Sequence, residues 1–218
     1  MLLIIIEPDL GMTILCFVMV LGIIFISGTS LRKIFVILAC TVLVIFFAYK
    51  LSFLADYMKS RIDNFMISNV SEGGDYQVLH SIIAIGSGKI FGTGFLNSML
   101  ISKDFVPEAS TDFIFSVIGE EWGLIGGIVV LILYIILIYK VLRISKNAKN
   151  SFGKIFTAGI AVLWIFQIFQ NIGMTVSIMP VTGVPLLFIS YGGSSLMSNF
   201  IALGLILNIG MRKKKLMF

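Results

Sequence analysis

The stretch Val106–Gly127, VPEASTDFIFSVIGEEWGLIGG, is the point at which a polar segment of this chain turns into a long apolar helix. Asp112 lies at that boundary, directly after Ser110 and Thr111. One interpretation of its carboxylate is structural, because an acid in the first turn of a helix stabilises the macrodipole and Ser or Thr is a good N-cap. The other is functional, because a carboxylate at a membrane surface can act as a general base. The residues leave both open.

The composition around this stretch is that of an integral membrane protein. Of 218 residues, 58% are hydrophobic and 12% are charged, whereas about a quarter are charged in a soluble domain. The sequence therefore predicts an all-α, polytopic bundle of membrane-crossing helices. Its net charge of +5 bears on orientation in the bilayer and not on nucleic-acid binding. Cys16 and Cys40 lie in apolar runs and indicate neither a disulfide nor a zinc site.

Apolar runs predict five membrane spans, since about 20 residues cross a bilayer. In chain order they cover residues 10–27, 34–49, 113–142, 155–179 and 196–210. The third, of roughly 30 residues and about 45 Å, is expected to tilt or to protrude from the membrane. Met1–Ile6 is too short to cross and is expected to be the end of a preceding helix and not a signal peptide.

Basic residues cluster in three alternating connections: Arg32 and Lys33, residues 143–154, and Arg212–Lys215. The positive-inside rule predicts that these connections, and with them the C-terminus, face the cytoplasm. The segments on the outer face are then residues 7–9, the long loop 50–111, Asp112 and residues 180–195. A loop of about 60 residues is disproportionately functional, so the site is expected on the outer face.

Two further acids, Glu120 and Glu121, follow Asp112 by about two helical turns. Helix geometry places Glu120 about 80° and Glu121 about 180° around the helix from Asp112, so Glu120 is nearer the same face. Acids at that depth usually line a bundle interior or a wet cavity. The alternative is that they only pair with structural cations.

The glycine-rich segment Gly86–Gly94 matches a phosphate-binding loop only in part. Ile83 stands where its first glycine belongs, and Ile90 stands where Ser or Thr would follow Lys89. Its amides and Lys89 remain a weak candidate for binding a diphosphate. His80 is the single histidine and is interpreted as a structural hydrogen-bonding residue. With no second histidine and no paired cysteines, the sequence excludes a zinc cage.

Polar and small residues also occur near the last two predicted spans. Gln167, Gln170 and Asn171 are expected to form hydrogen bonds between helices. Gly192–Ser195 offers small residues before the last helix, suited either to close packing or to the approach of the backbone to a ligand.

Four stretches together resemble the SEDS family (shape, elongation, division and sporulation), which includes RodA, FtsW and SpoVE. They are EPDLG at 7–11, YQVLHSIIAIGSGKIFGTG at 76–94, VPEASTDFIFSVIGEEWGLIGG at 106–127 and NIGMTVSIMPVTGVPLLFISYGGSS at 171–195. They occur in the family's order and cover nearly the whole chain. The NIGMT motif and Pro185 are more similar to the RodA branch, with a sporulation paralogue also open.

The resemblance implies a peptidoglycan glycosyltransferase that polymerises lipid II into glycan strands at the outer face of the bacterial cytoplasmic membrane, for elongation, shape or division. Its implied partners are a class B penicillin-binding protein transpeptidase and membrane lipids. The family fold has ten helices. The whole chain, residues 1–218, is expected to be a single membrane domain similar to the C-terminal half of that fold, with MLLIII as the end of the fifth helix.

The resemblance also assigns roles to residues. Asp112 matches the family's essential acid, which implies that it activates the acceptor sugar hydroxyl, and Asp9 matches the PDLG aspartate near the cavity. The candidate substrate-binding residues are Asp9, Glu108, Glu120, Arg61, Lys89, Lys103, Ser194 and Ser195. A divalent cation, Mg or Mn, is consistent with aspartate and diphosphate oxygens, although no spacing shows one.

The chain departs from the family pattern at three positions and in length, and two alternative functions stay open. Glu7 replaces the Gln that is usual in the family, His80 replaces Gln or Asn, and Leu187 replaces a frequent Pro. One alternative is a flippase or transporter of lipid-linked precursors, which needs a polar path through the bilayer. The other is a non-catalytic truncated or split fragment of a SEDS protein.

Overall fold

The fold is that of a computed structural model, which describes residues 10–50, 74–98 and 109–212. Every regular element in these ranges is a helix: α1 Leu10–Ile26, α2 Leu31–Lys50, α3 Gly74–Ser87, α4 Ile114–Glu121, α5 Gly123–Lys146, α6 Ser151–Thr175 and α7 Gly193–Met211. The predicted all-α membrane fold is confirmed. Three of the described helices, α5, α6 and α7, are long and apolar enough to cross a membrane. The count of five spans stays a prediction.

Helix α6 lies at the centre of the bundle and contacts α1, α3, α4, α5 and α7. Its buried side chains include Ala158, Ala161 and Trp164. The Trp164 Nε1–H donates a hydrogen bond to Asn199 Oδ1 of α7 over 2.9 Å. A buried indole needs such a partner, and the bond therefore fixes α7 against α6.

Helix α1 packs antiparallel on α6 through glycines. A Cβ at Gly22 would lie 2.7 Å from Val162 Cγ1, and a Cβ at Gly159 would lie 2.8 Å from Ile23 Cγ1. Small residues let membrane helices approach closely, because no hydrophobic effect draws them together within lipid. This packing sets the position of the start of α1, which reaches the site described below.

Three helix ends meet at one end of the bundle. A Cβ at Gly153, near the start of α6, would lie 3.1 Å from Ile209 Cγ2 of α7, and one at Gly210 would lie 3.4 Å from Ile144 of α5. The connection from α1 to α2 is at the same end, because α1 is antiparallel to α6. The basic connections thus share one end, as the alternation of spans predicts. Which side of the membrane it faces stays a prediction.

The predicted third span, 113–142, is wrong as a single helix. Helix α4 ends at Glu121, and α5 begins after Trp122 at Gly123, whose φ is +65°. The first amides of α5 bond to another segment, with Leu124 N–H donating to the Lys89 carbonyl over 2.9 Å. These backbone bonds replace the ones that a continuous helix would make, so no 45 Å helix has to tilt or protrude.

The predicted fourth span, 155–179, is shifted by four residues, since α6 covers Ser151–Thr175. After its end, the amides of Ile178 and Met179 fold back and donate to the Gly173 carbonyl over 2.8 and 3.1 Å. The apolar residues 176–179 therefore belong to the connection. In the same way, α7 begins at residue 193 and not at 196, and α2 begins at 31 and not at 34.

Candidate active site

Asp112 lies in a turn that precedes α4. The N-cap of α4 is Phe113, and the first turn of the helix holds no acidic residue. Asp112 thus lies one residue before the N-cap and outside the first helical turn, where the macrodipole acts most strongly. The Asp112 side chain is half-buried.

The turn before Asp112 is bonded to the non-helical connection between α6 and α7. The Ser190 hydroxyl donates to the Thr111 carbonyl over 2.5 Å and accepts the Leu186 N–H over 2.6 Å. One residue on, the Tyr191 N–H donates to the Ser110 carbonyl over 3.0 Å. Ser190 is buried, so these bonds are made away from competing water.

Asn171 of α6 completes the attachment. Its Nδ2 donates to the Asp112 carbonyl and to the Val184 carbonyl, each over 2.8 Å. Asn171 is fully buried, so the amide joins the Asp112 turn, the connection and the central helix at one point. The three carbonyls of residues 110–112 all accept hydrogen bonds, which leaves the backbone at Asp112 little freedom.

Two glycines let backbone segments pack closely near the carboxylate. A Cβ at Gly183 would lie 3.4 Å from Asp112 Oδ2, and this glycine has a φ of +70°, which L side chains rarely adopt. A Cβ at Gly11 would lie only 2.5 Å from the Thr182 carbonyl oxygen. The start of α1 therefore packs on the residue next to Gly183. The 180–191 connection, α1 and the Asp112 turn thus converge at one site.

The amides of α6 hold this connection in place. Gln167 Nε2 donates to the Pro185 carbonyl over 2.8 Å, and Gln170 Nε2 donates to the Pro180 carbonyl over 3.0 Å. The expectation of bonds between helices is corrected, because the acceptors lie in non-helical backbone. Such backbone has no internal partners and needs them from elsewhere at membrane depth. On α5, the Tyr134 hydroxyl donates to the Leu187 carbonyl over 2.7 Å.

Glu120 and Glu121 lie at the break between α4 and α5 and are 2% and 7% exposed. The Ser98 hydroxyl donates to Glu120 Oε2 over 2.5 Å. The Glu120 carbonyl accepts the Thr93 N–H over 2.9 Å. Within the described ranges no side chain pairs with the Glu121 carboxylate. Glu120 thus ties α4 to the segment after the glycine-rich loop, and its proposed contact with substrate stays a prediction.

Loss of the Ser98 hydroxyl should therefore destabilise the fold. We expect Ser98→Ala to lower the free energy of unfolding by about 1–3 kcal/mol, because a buried carboxylate oxygen loses its donor. Thermal unfolding of the detergent-purified protein measures this. The matched control is Ser87→Ala, which removes only a local bond to the Ala84 carbonyl. Equal transition temperatures for the two variants would show that the Ser98 bond contributes nothing.

The glycine-rich loop has a structural role. The amides of Gly88, Lys89, Gly92, Thr93 and Gly94 all donate to carbonyls of the protein. These donors are therefore occupied, which corrects the idea that they bind a diphosphate. The Lys89 side chain is exposed and stays a candidate.

The remaining described candidates lie on α7 and α3. Ser194 is exposed in the first turn of α7. Ser195 faces inward, and its carbonyl accepts the Asn199 Nδ2 over 2.9 Å. The His80 ring packs against Tyr76 with centroids 4.1 Å apart, which agrees with its structural interpretation.

Four candidates, Asp9, Arg61, Lys103 and Glu108, lie outside the described residues and stay predictions. The described ranges contain no group of three or more His, Cys, Asp or Glu side chains that could hold a metal. A cation shared between Asp112 and a substrate diphosphate would need no such group.

The sequence did not point to Ser190 or Gly183 as neighbours of Asp112, although both lie in the GVPLLFISYGG stretch of the family motif.

These features define a class: a multi-pass helical membrane protein with an acidic site bonded to a non-helical connection between two helices. A family model described as a cell cycle protein, FtsW/RodA/SpoVE, matches residues 1–215. The chain belongs to this family, and the resemblance to SEDS proteins is confirmed.

Relatives from both main branches are similar to the chain. The peptidoglycan glycosyltransferase MrdB of Escherichia coli is 39% identical over 214 residues, covering 96% of this chain and 57% of the relative. A probable peptidoglycan glycosyltransferase FtsW of Coxiella burnetii is 39% identical over 213 residues, covering 95% and 56%. RodA of Treponema pallidum is 44% identical over 138 residues, covering 63% and 32%. The preference for the RodA branch stays a prediction.

Two solved structures share the fold. One, from work on polymerization and crosslinking by a peptidoglycan synthase complex, has a TM-score of 0.77 and 27% identity, covering 98% of this chain and 59% of the other. The other is RodA of Thermus thermophilus, with a TM-score of 0.60 and 26% identity, covering 95% and 51%. The chain spans little more than half the length of these relatives.

Proposed function

We propose that the protein polymerises lipid II into glycan strands at the outer face of the bacterial cytoplasmic membrane, with Asp112 as the general base. The observation that carries the proposal is the attachment of the Asp112 turn. Hydrogen bonds from Ser190, Tyr191 and Asn171 hold its backbone, and the Gly183 backbone comes close to the carboxylate, since a Cβ there would lie 3.4 Å from Asp112 Oδ2. A base needs such a fixed position beside room for its substrate.

The proposed step is a displacement at the anomeric carbon of one lipid II molecule. The Asp112 carboxylate takes the proton from an acceptor sugar hydroxyl as the hydroxyl oxygen attacks that carbon. The new carbon–oxygen bond forms while the bond to the polyprenyl diphosphate breaks, and the diphosphate leaves with the electron pair. Asp112 later returns the proton to solvent, so the protein ends each cycle unchanged.

The diphosphate that leaves carries negative charge and needs cations. Lys89 is an exposed candidate, and Arg61 and Lys103 are the others that the sequence offers. A divalent cation, Mg or Mn, between the diphosphate and Asp112 would serve the same purpose, because carboxylate and phosphate oxygens are its preferred ligands. Asp9, Glu108, Ser194 and Ser195 are proposed to line the substrate site.

The proposed partner is a class B penicillin-binding protein, which would cross-link the strands. The support is that one structural relative comes from a peptidoglycan synthase complex. The proposed orientation places the C-terminus and the other basic connections in the cytoplasm. The Asp112 end then faces outward.

Lipid translocation is the competing function, and it requires a polar path. The candidates that the sequence offers for such a path are Glu120, Glu121 and the α6 amides. Gln167 and Gln170 of α6 donate to carbonyls of the connection instead. The test is to reconstitute the protein in vesicles with fluorescent lipid II and to follow glycan chain length by gel and lipid transfer by quenching. We expect glycan strands without transfer. Transfer without glycan strands would replace polymerisation by translocation.

A further inference from the structure

The end of the bundle opposite Asp112 gathers basic side chains from three helices. Packing of Gly153 on Ile209, and of Gly210 on Ile144, brings the end of α5, the start of α6 and the end of α7 together. This end is about 27 Å from Asn171 along α6. Besides Arg32 and Lys33 of the α1–α2 connection, six exposed basic residues lie in or beside α5, α6 and α7 at this end: Lys140, Arg143, Lys146, Lys149, Lys154 and Arg212. We call them the basic end.

Within the described ranges, the acidic side chains lie far from the basic end. The acidic residues whose side chains the structure describes are Asp112, Glu120 and Glu121, in or beside α4. Asp112 lies beside Asn171, and Glu120 and Glu121 lie just before the start of α5, so all three are at the opposite end of the bundle from the six cations. Six positive charges close together repel one another, and anions from outside the protein would relieve that repulsion.

The backbone at the basic end is fixed by hydrogen bonds. The Ser145 hydroxyl donates to the Lys154 carbonyl over 2.8 Å, across the connection between α5 and α6. The Asn147 N–H donates to the Arg143 carbonyl over 3.2 Å, which closes the end of α5. A site whose backbone is already ordered loses less entropy when it binds a ligand.

Apolar side chains border the cations. Tyr139, Leu142 and Phe152 are 62%, 44% and 78% exposed, and the Phe152 ring stacks on Phe156. Aromatic residues of this kind concentrate where a membrane meets water. A soluble anion would make no contact with these apolar side chains. A lipid has both a charged headgroup and acyl chains, so it would contact the cations and their apolar border together.

We propose that the basic end binds the headgroups of anionic phospholipids. Its cations would contact the phosphates, while Tyr139, Leu142 and Phe152 pack on the adjoining acyl chains. Each cation near a charged membrane surface contributes about fivefold to the affinity. The surface is independent of the glycosyl transfer proposed above.

The test is the affinity of the detergent-purified protein for fluorescent phosphatidylglycerol in mixed micelles, with phosphatidylcholine as the reference lipid. The triple variant Arg143→Gln, Lys146→Gln, Lys149→Gln should bind phosphatidylglycerol on the order of 100-fold more weakly. Lys149→Gln is compared with Lys149→Arg, which keeps the charge, and only the first should weaken binding. Thermal unfolding must show that all variants remain folded.

Two results would overturn the proposal. The first is equal binding of phosphatidylglycerol by the parent and the folded triple variant. The second is displacement of the lipid by inorganic phosphate at equal concentration, which would make the basic end a site for soluble anions. Phe152→Ser distinguishes a lipid site from a site for soluble anions, since it should weaken lipid binding and leave the binding of inorganic phosphate unchanged.

Discussion

Replacement of Asp112 by asparagine should lower the rate of glycan polymerisation by about 10²–10⁴-fold, the usual contribution of a positioned general base. The change keeps the size of the side chain and removes its negative charge, and with the charge its ability to take a proton. The backbone bonds from Ser190, Tyr191 and Asn171 involve carbonyl groups, so they do not depend on the carboxylate. The variant should therefore fold and insert like the parent.

The rate is measured with purified protein and fluorescent lipid II, under the same conditions for all variants. Asp112→Glu keeps a carboxylate on a longer side chain and should retain part of the activity. Lys149→Gln, a neutralising change at the opposite end of the bundle, serves as the control and should polymerise at the parental rate. Normal polymerisation by Asp112→Asn would rule out this residue as the base.

The second large effect is on folding. Gly123→Val should lower the free energy of unfolding by more than about 3 kcal/mol, because a β-branched residue at positive φ is strained and a Cβ there would lie 2.4 Å from the Gly92 nitrogen. The neighbouring atoms at this break belong to backbone. No flexible side chain can move aside to make room.

Size-exclusion chromatography and thermal unfolding in detergent measure this effect. Gly204→Val on α7 is the matched control, because a Cβ at Gly204 meets nothing within 4 Å. We expect the control to remain monodisperse and Gly123→Val to aggregate. Similar unfolding temperatures for the two variants would mean that the break between α4 and α5 is not a fixed part of the fold.

The all-α class and the central helices were predictable from apolar runs, since a helix that crosses a bilayer needs about 20 apolar residues in a row. The break at Trp122 was not, because the acids Glu120 and Glu121 just before it also fit a continuous helix that lines a cavity, and no proline marks an end. It depends on backbone bonds to Lys89 and Ile90, more than 30 residues earlier in the chain. Local patterns carry no information about such distant partners.

The site was predictable in part. Alternating spans placed Asp112 and residues 180–195 on one face, and the structure brings them into contact. The attachments through Ser190 and Asn171 were not predictable, because the acceptors are backbone carbonyls that any residue supplies. The resemblance marked Asp112 as the base, whereas geometry shows how its backbone is held.

The most direct test of the central claim is a single-turnover experiment in which the Asp112→Asn protein is first loaded with fluorescent lipid II. Binding is read by anisotropy, and product is read by gel from the same sample. We predict that the variant holds lipid II with an affinity close to that of the parent and forms no glycan linkage in the time the parent needs for one turnover. Formation of the linkage at the parental rate would contradict the account.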